Sequence, residues 1–409
     1  MKFWQQLSRY YPAVRLLAFG GILFSLLFSK FLLSVGMIGL VLMALLHPDV
    51  KSHVKRWWNE PFNRIWLLLP LAFLVSGLIS ADTASFTFVW RKKSPFLFLP
   101  LAFTALEGFK RKQFYYLLSG FVALICIGAL YSLTQYAIHF ESINKGYAYG
   151  HVMPTPTDHI RFSLLVVMGI IIGLQTYNYF KKESKKYLAN LAIGASIFLT
   201  LFLHLLAVRS GLLAFYCVVV YSILDLIIRR KRYKEAVIGL LTFGILCIGA
   251  YQLLPSLKTK INYMRYDIEH LQSGDAANNS DGGRFLSMQV GWQLVKENPL
   301  LGVGAGDLEK EMKTFYAQHF PNVPEEKRFI PHNEFIYAWL AAGILGFIAL
   351  LYLCIQLWRL TPTHLHWLFR STLLINFIAL LIEPSLEMQV GAAIFVFFPL
   401  FFYYQPAED

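Results

Sequence analysis

Three pieces of one stretch decide how this chain is read. It opens with Ser280-Asp281-Gly282-Gly283-Arg284, passes through Asn298-Pro299-Leu300-Leu301-Gly302-Val303-Gly304-Ala305-Gly306-Asp307, and closes with Pro331-His332-Asn333-Glu334. An apolar run holding Gly343 and Gly346 follows. The stretch is the one long polar interruption in a greasy chain. Of 409 residues, 56% are hydrophobic and 15% charged, and the mean hydropathy is +0.51. A soluble protein would carry about 25% charged residues. Apolar runs long enough to cross a bilayer recur from end to end, which predicts an all-α polytopic membrane protein whose backbone polar groups are satisfied inside helices.

Working outward from that stretch, the candidate spans are 14–29, 31–46, 65–80, 95–107, 114–138, 160–180, 187–207, 210–228, 236–254, 333–358, 368–383 and 387–404. The organisation expected is nine transmembrane helices in 1–254, a long outer loop in 255–332 with short helices of its own, and three more helices in 333–409. The first apolar run begins near Leu16 and has no small-residue cleavage pattern, so it reads as a retained span rather than a signal peptide. Cys126, Cys217, Cys247 and Cys354 all fall inside apolar runs, which predicts neither disulfides nor a metal site.

The formal net charge of +13 does not call for nucleic acid. With the N-terminus in the cytoplasm, 21 of the 37 Lys and Arg residues fall on inward segments, as the positive-inside rule requires. Lys181-Lys182 and Arg229-Arg230-Lys231-Arg232 are firm markers. Both termini are then cytoplasmic and 255–332 faces outward. Its nine cations and ten carboxylates nearly cancel. One cluster breaks the rule: Arg91-Lys92-Lys93 falls on the outer side between spans three and four, after a possible interfacial helix from Phe86 to Trp90. It reads either as contact with lipid phosphates or as a patch for an anionic lipid-linked substrate.

Several residues that could carry chemistry share this outer side. His332 precedes Asn333 at the lip of a span, where a partly desolvated imidazole can stay neutral and accept a proton. Alone it could equally cap the helix or sit in the headgroup belt. Arg209, in the short turn before span eight, has a planar fork suited to phosphate oxygens; it could also simply snorkel. Arg284 follows two glycines that allow a ligand close to the backbone, or is an ordinary loop arginine. Glu383 and Glu387 flank Pro384 between the last two spans, where they could orient a base, bind sugar hydroxyls or merely be solvated. Arg161 opens span six. The Gly302–Gly306 run is not a dinucleotide motif and reads as a tight loop over the membrane mouth. The pattern contains no acidic cluster for a divalent ion, so charge neutralisation falls to arginine and no metal or cofactor is expected.

Taken together, Arg209-Ser210-Gly211, the loop with Arg284, Trp292 and Asn298-Pro299-Leu300-Leu301-Gly302-Val303-Gly304, and His332-Asn333-x9-Gly343-x-x-Gly346 resemble the O-antigen ligase and O-antigen polymerase superfamily of bacterial membrane glycosyltransferases. The likeness is best over residues 200–350. It implies a GT-C-like fold of about twelve transmembrane helices in the bacterial inner membrane, with a periplasmic active site. It implies an undecaprenyl-pyrophosphate-linked glycan as donor. The acceptor would be a sugar hydroxyl of lipid A core in a ligase, or another lipid-linked repeat unit in a polymerase. By the resemblance, Arg209 and Arg284 hold the pyrophosphate and His332 activates the acceptor hydroxyl, with inversion at the anomeric carbon. Arg161, Arg91, Lys92, Lys93, Asn333, Glu383 and Glu387 are secondary candidates. A flippase for lipid-linked sugars is the reading from another class. It would need polar residues through the bilayer midplane, where these spans are apolar.

Overall fold

The computed structural model describes residues 2–106, 108–147, 151–253 and 280–405, with 259 and 262 as isolated residues. Of the turn-forming run expected over 274–283, residues 274–279 lie outside the described residues, as does the short helix expected at 267–271, and 280–283 are helical.

Every one of the twelve apolar runs carries helix. In chain order these are α1 (Lys2–Phe28), α2 (Lys30–Leu45), α3 (Val50–Asn59), α4 (Pro61–Arg64) leading through a 3-10 turn into α5 (Leu68–Gly77), α6 (Thr83–Ala105), α7 (Arg111–Ile138), α8 (Phe140–Tyr147), α9 (His159–Lys182), α10 (Lys186–Leu206), α11 (Arg209–Leu224) and α12 (Tyr233–Leu253). The polar segment then supplies α13 (Ser280–Glu297) and α14 (Leu308–His319), followed by α15 (Glu334–Arg359), α16 (His366–Ile382) and α17 (Gln389–Tyr403). Among the described residues there is no strand, and six helices are long and apolar enough to cross a membrane, or seven if α2 and α3, bent by 106°, form one broken span.

Packing follows the logic of helices in lipid, where close approach rather than burial from water drives association. Most of α9 is enclosed. It runs back against α10 at Gly173, where a Cβ would overlap Ser196 Oγ. On the other flank, Phe19 of α1 packs edge-on against Phe109 at 4.9 Å and Phe103 at 5.3 Å, and lies 5.4 Å from Phe401 of α17. Aromatic edge and face contacts of this kind add to plain packing.

Three expectations about boundaries change. Span four does not begin at 95. The helix α6 starts at Thr83, capped by Asp82, whose carboxylate accepts from the Ser85 amide at 2.9 Å. Arg91-Lys92-Lys93 are therefore helical residues, not a connecting loop. Pro95 removes one backbone donor from α6, and Ser94 Oγ satisfies the Arg91 carbonyl instead at 2.8 Å. Second, Gly282-Gly283-Arg284 are not a loop but lie in the opening turns of α13.

Third, 333–358 is not one straight span. At Ala342 and Gly343 the backbone of α15 leaves the helix (φ 62°, ψ −161° at Gly343), a region only glycine tolerates. The chain folds back on itself there. Phe335 and Phe347 have ring centroids 6.3 Å apart, and Trp339 and Phe347 4.7 Å, whereas residues twelve apart in a straight helix are separated by about 18 Å. The first arm, 334–341, lies parallel to α5: Tyr337 stacks beside Phe73, and Ser76 Oγ donates to the Ala341 carbonyl at 2.5 Å.

The Asn298–Asp307 loop fills this fracture. The break frees the Leu340 carbonyl and the Ile344 amide. Val303 N donates to Leu340 O at 2.8 Å, and Ile344 N donates to Leu300 O at 3.2 Å. Trp339 Nε1 reaches the Pro299 carbonyl at 2.9 Å. The loop then meets the α5–α6 turn, where Ala305 N donates to Ser76 Oγ, Gly306 N donates to Ser80 Oγ, and the Asp307 carboxylate accepts from Ala81 and Asp82 amides. So the glycine-rich run is a plug in a broken helix rather than a cover over the mouth. A Cβ at Gly343 would overlap the Leu300 carbonyl. Gly343→Ala is accordingly expected to cost several kcal/mol, at the upper end of single-substitution effects, and to cut the yield of monodisperse protein in fluorescence-detected gel filtration; a normal elution profile and melting point would refute the plug.

Candidate functional site

The N-terminal ends of α9, α11, α15 and α17 and the C-terminal end of α16 meet at one end of the bundle. The opposite end carries Lys110, Lys181-Lys182 and Arg229 to Arg232.

His332 lies directly before α15. Asn333, not His332, is the cap: its Oδ1 accepts from the amides of Phe335 at 3.0 Å and Ile336 at 3.1 Å. The Asn333 Nδ2 donates to the Leu381 carbonyl near the end of α16 at 3.0 Å. The imidazole is thus released from capping duty. It is held from α13, where Ser287 Oγ lies 3.1 Å from Nδ1 and accepts from the His332 amide at 3.1 Å. The Phe329 ring meets it edge-on at 5.3 Å. Pro331 packs onto α13 where Gly291 leaves room for it.

Arg284 sits one helical turn before Ser287, whose hydroxyl also reaches the Arg284 carbonyl at 2.7 Å. Burial, then the Arg284 guanidinium, hold the His332 imidazole down at about 4, with a hydrogen bond to the Ile330 carbonyl pulling the other way. The ring is neutral at ordinary pH, as a proton acceptor must be. Ser287 was not legible as a functional residue; its only signal is its place three residues after Arg284, on the same helical face.

Arg209 is the first residue of α11, after Ala207 turns the chain in the left-handed region (φ 52°). Gly211 lets α11 begin against the first turn of α9, where a Cβ would meet Ser163 Cβ at 2.5 Å, and Ser210 Oγ lies 3.4 Å from Ser163 Oγ. Arg209 and Arg284 therefore come to the same end of the bundle, 75 residues apart in sequence.

The remaining candidates are mostly paired with one another. Arg161 bonds Glu383 Oε2 at 2.9 Å and Asp158 Oδ1 at 2.7 Å, while Asp158 caps α9. Burial pushes the Glu383 carboxyl up, with Arg161 as the main opposing influence and Arg284 a further one. Lys93, fully buried, lies 2.5 Å from Glu387 and 3.7 Å from Glu334, and Lys92 lies 3.4 Å from Glu387. Glu334 also accepts from the Leu386 amide at 2.8 Å. Neither Glu383 nor Glu387 is a solvated loop residue; both are buried in ion pairs at the turn between α16 and α17. Of the Arg91-Lys92-Lys93 cluster, only Arg91 is exposed.

Residues 194–351 match the model of the O-antigen ligase family. The chain is also 26% identical over 229 residues to an O-antigen ligase of Salmonella typhimurium strain LT2, an alignment covering 54% of this chain and 50% of that protein. Both matches make the O-antigen ligases the proteins that this chain is similar to. The chain thus spans about half the length of that curated relative. The stretch matched by the O-antigen ligase family model contains Arg209, Arg284, Ser287, His332, Asn333, the plug and the fracture at Gly343. Those are the parts the geometry ties together. Arg91 to Lys93, Arg161, Glu383 and Glu387 lie outside it. In this O-antigen ligase-like chain a neutral imidazole thus stands beside one arginine, with a second at the same bundle end. Such an arrangement can take a proton from a hydroxyl while guanidinium groups receive negative charge on a departing phosphate.

Proposed function

We propose that this chain is an inverting, metal-independent glycosyltransferase of lipopolysaccharide synthesis. It transfers a glycan from undecaprenyl pyrophosphate to a sugar hydroxyl of lipid A core at the periplasmic face of the inner membrane. The observation that carries the reading is the neutral His332 held between Ser287 and the Arg284 charge. The orientation rests on the cation count, with both termini cytoplasmic. A GT-C-like bundle of about twelve crossings follows if α2, α5, α6, α12, α16 and α17 also span the membrane.

In this reaction the acceptor oxygen attacks the anomeric carbon from the face opposite the pyrophosphate. The new glycosidic C–O bond forms as the old one breaks. The hydroxyl proton passes to a ring nitrogen of His332, and the electron pair leaves on the pyrophosphate, which stays on its lipid. Arg209 and Arg284 receive that charge, and guanidinium forks match phosphate oxygens without needing a divalent ion. An imidazole held near 4 is a weak base. Donor binding corrects this: the pyrophosphate offsets the Arg284 charge, so the imidazole becomes more basic when a substrate is present.

That coupling gives a pH test. The acid limb of the transfer rate for the free enzyme is expected near pH 4 rather than near the ordinary histidine value. Removing the Arg284 charge relieves a lowering influence, so the limb of the residual activity of Arg284→Gln moves upward; a limb that stays put or moves down removes Arg284 from the His332 environment. The reaction itself is tested by product analysis in membranes supplied with lipid-linked glycan and lipid A core. Glycan on the core is the expected product. Longer lipid-linked chains with bare core would make the enzyme a polymerase instead.

A further inference from the structure

A cavity of about 770 Å³ runs between α2 and α6, and His332 is not among its lining residues. Its walls are apolar: Ile38, Val41 and Leu42 from α2 face Phe98 and Leu99 from α6. Ile38, Leu42 and Phe98 are exposed, so the cavity opens sideways, where a membrane helix meets lipid. At one end the lining changes character. Lys30, Arg91, Lys92 and Arg161 gather there, against Asp158 and Glu387. Arg161 and Lys92 are partly neutralised by the carboxylates already described. Among the described residues, no carboxylate lies within ion-pairing distance of Lys30 or Arg91. Gln389 braces this rim, its Nε2 donating to the Lys30 carbonyl at 2.9 Å and to Ser34 Oγ at 2.6 Å.

We propose that this groove seats a lipid bearing a pyrophosphate head, its hydrocarbon chain along α2 and α6 and its head on Lys30, Arg91 and Lys92. The occupant is chosen by charge. Two uncompensated cations and two partly compensated ones suit a head with more than one negative charge, and poorly suit a zwitterionic or singly charged bilayer lipid. The wall suits a chain, since an apolar surface open to the bilayer holds hydrocarbon by packing. The position suits a substrate route. Arg161 forms the inner corner of the rim and bonds Glu383, which feels the Arg284 charge beside His332. A head leaving the groove past Arg161 enters the site. This assignment rests on the donor reading above and extends it from the phosphate to the chain.

The test uses the full chain purified in detergent and a geranylgeranyl pyrophosphate analogue carrying a photoreactive group on its chain. Labelled peptides are expected from α2 and α6. Labelling should fall roughly tenfold or more in Lys30→Glu with Arg91→Glu, two exposed positions whose reversal opposes the head. It should also fall in Leu42→Trp, which fills the wall. Unlabelled geranylgeranyl pyrophosphate should compete. Equal competition by phosphatidylglycerol would make the groove an ordinary annular lipid site and overturn the proposal. Equal competition by inorganic pyrophosphate would overturn the seat for the chain. Labelling confined to other helices would overturn both parts. The two readings fail separately: glycan transfer without groove labelling overturns the groove alone, whereas groove labelling in a protein that transfers no glycan overturns the transferase alone.

Discussion

His332→Ala is expected to lower glycan transfer by roughly 10²–10⁴-fold, the usual contribution of a positioned acid or base, while leaving protein level and melting point close to those of the parent. The second half of that expectation is what makes it informative. The helix cap belongs to Asn333, and its bonds to the amides of Phe335 and Ile336 and to the Leu381 carbonyl do not involve the imidazole. The His332 backbone amide still reaches Ser287. What is lost is the ring's contacts: Nδ1 with the Ser287 hydroxyl, the hydrogen bond to the Ile330 carbonyl and the edge contact with Phe329. Asn333→Ala should show the contrary pattern: about 1 kcal/mol of stability lost with the cap, and activity lost only as far as the helix start shifts. Membranes prepared with each variant, matched for protein by immunoblot, decide between the roles. Near-normal transfer by His332→Ala would remove the histidine from the chemistry.

The second large effect is on stability. Lys93→Met is expected to destabilise the chain by about 3–5 kcal/mol, the range for breaking a buried ion pair from one side. Lys93, Glu334 and Glu387 are all essentially inaccessible. With the ammonium gone, two carboxylates stay buried with no cation of comparable proximity except Lys92, 3.4 Å from Glu387. The methionine fills the space, so packing is largely preserved and charge is what changes. Combining Lys93→Met with Glu334→Gln and Glu387→Gln should therefore recover most of the loss in a detergent melting experiment. If the triple variant is no more stable than Lys93→Met, the loss comes from packing against Phe73 rather than from unpaired charge.

These two residues also mark how far sequence reasoning reached. The apolar runs were legible because hydrophobic length is a local property, and each of them carries helix. Asn333 and His332 were legible as a pair at a helix start, but which of them caps was not, since that depends on Leu381 and Ser287, 48 and 45 residues away. Arg91-Lys92-Lys93 looked like a loop because three adjacent cations are improbable in a buried helix. They are helical because Glu387 neutralises two of them from 294 and 295 residues downstream, and no local pattern announces such a partner. Nothing local to Gly343 announces the break, because small residues in apolar helices usually serve close packing. The positive φ of Gly343 is demanded by the Asn298–Asp307 loop, which supplies the bonds the broken helix lacks. Glu383 and Glu387 invited a chemical role by type and position, and burial with Arg161 and Lys93 gives them a structural one.

The plug in the fractured helix also sets an order on synthesis. Ser76 and Ser80 leave the ribosome more than 220 residues before the Ala305 and Gly306 amides that they accept from. Leu300 and Val303 in turn precede the backbone groups of Leu340 and Ile344 that complete them. Until the fold-back arm of α15 is in place, the loop has nowhere to satisfy its backbone, and an unpaired amide or carbonyl in lipid is costly. The α5–α6 turn is thus a waiting dock. The loop closes over it only when α15 arrives, so His332 and Arg284 come into register late, after α1 to α12 have been made.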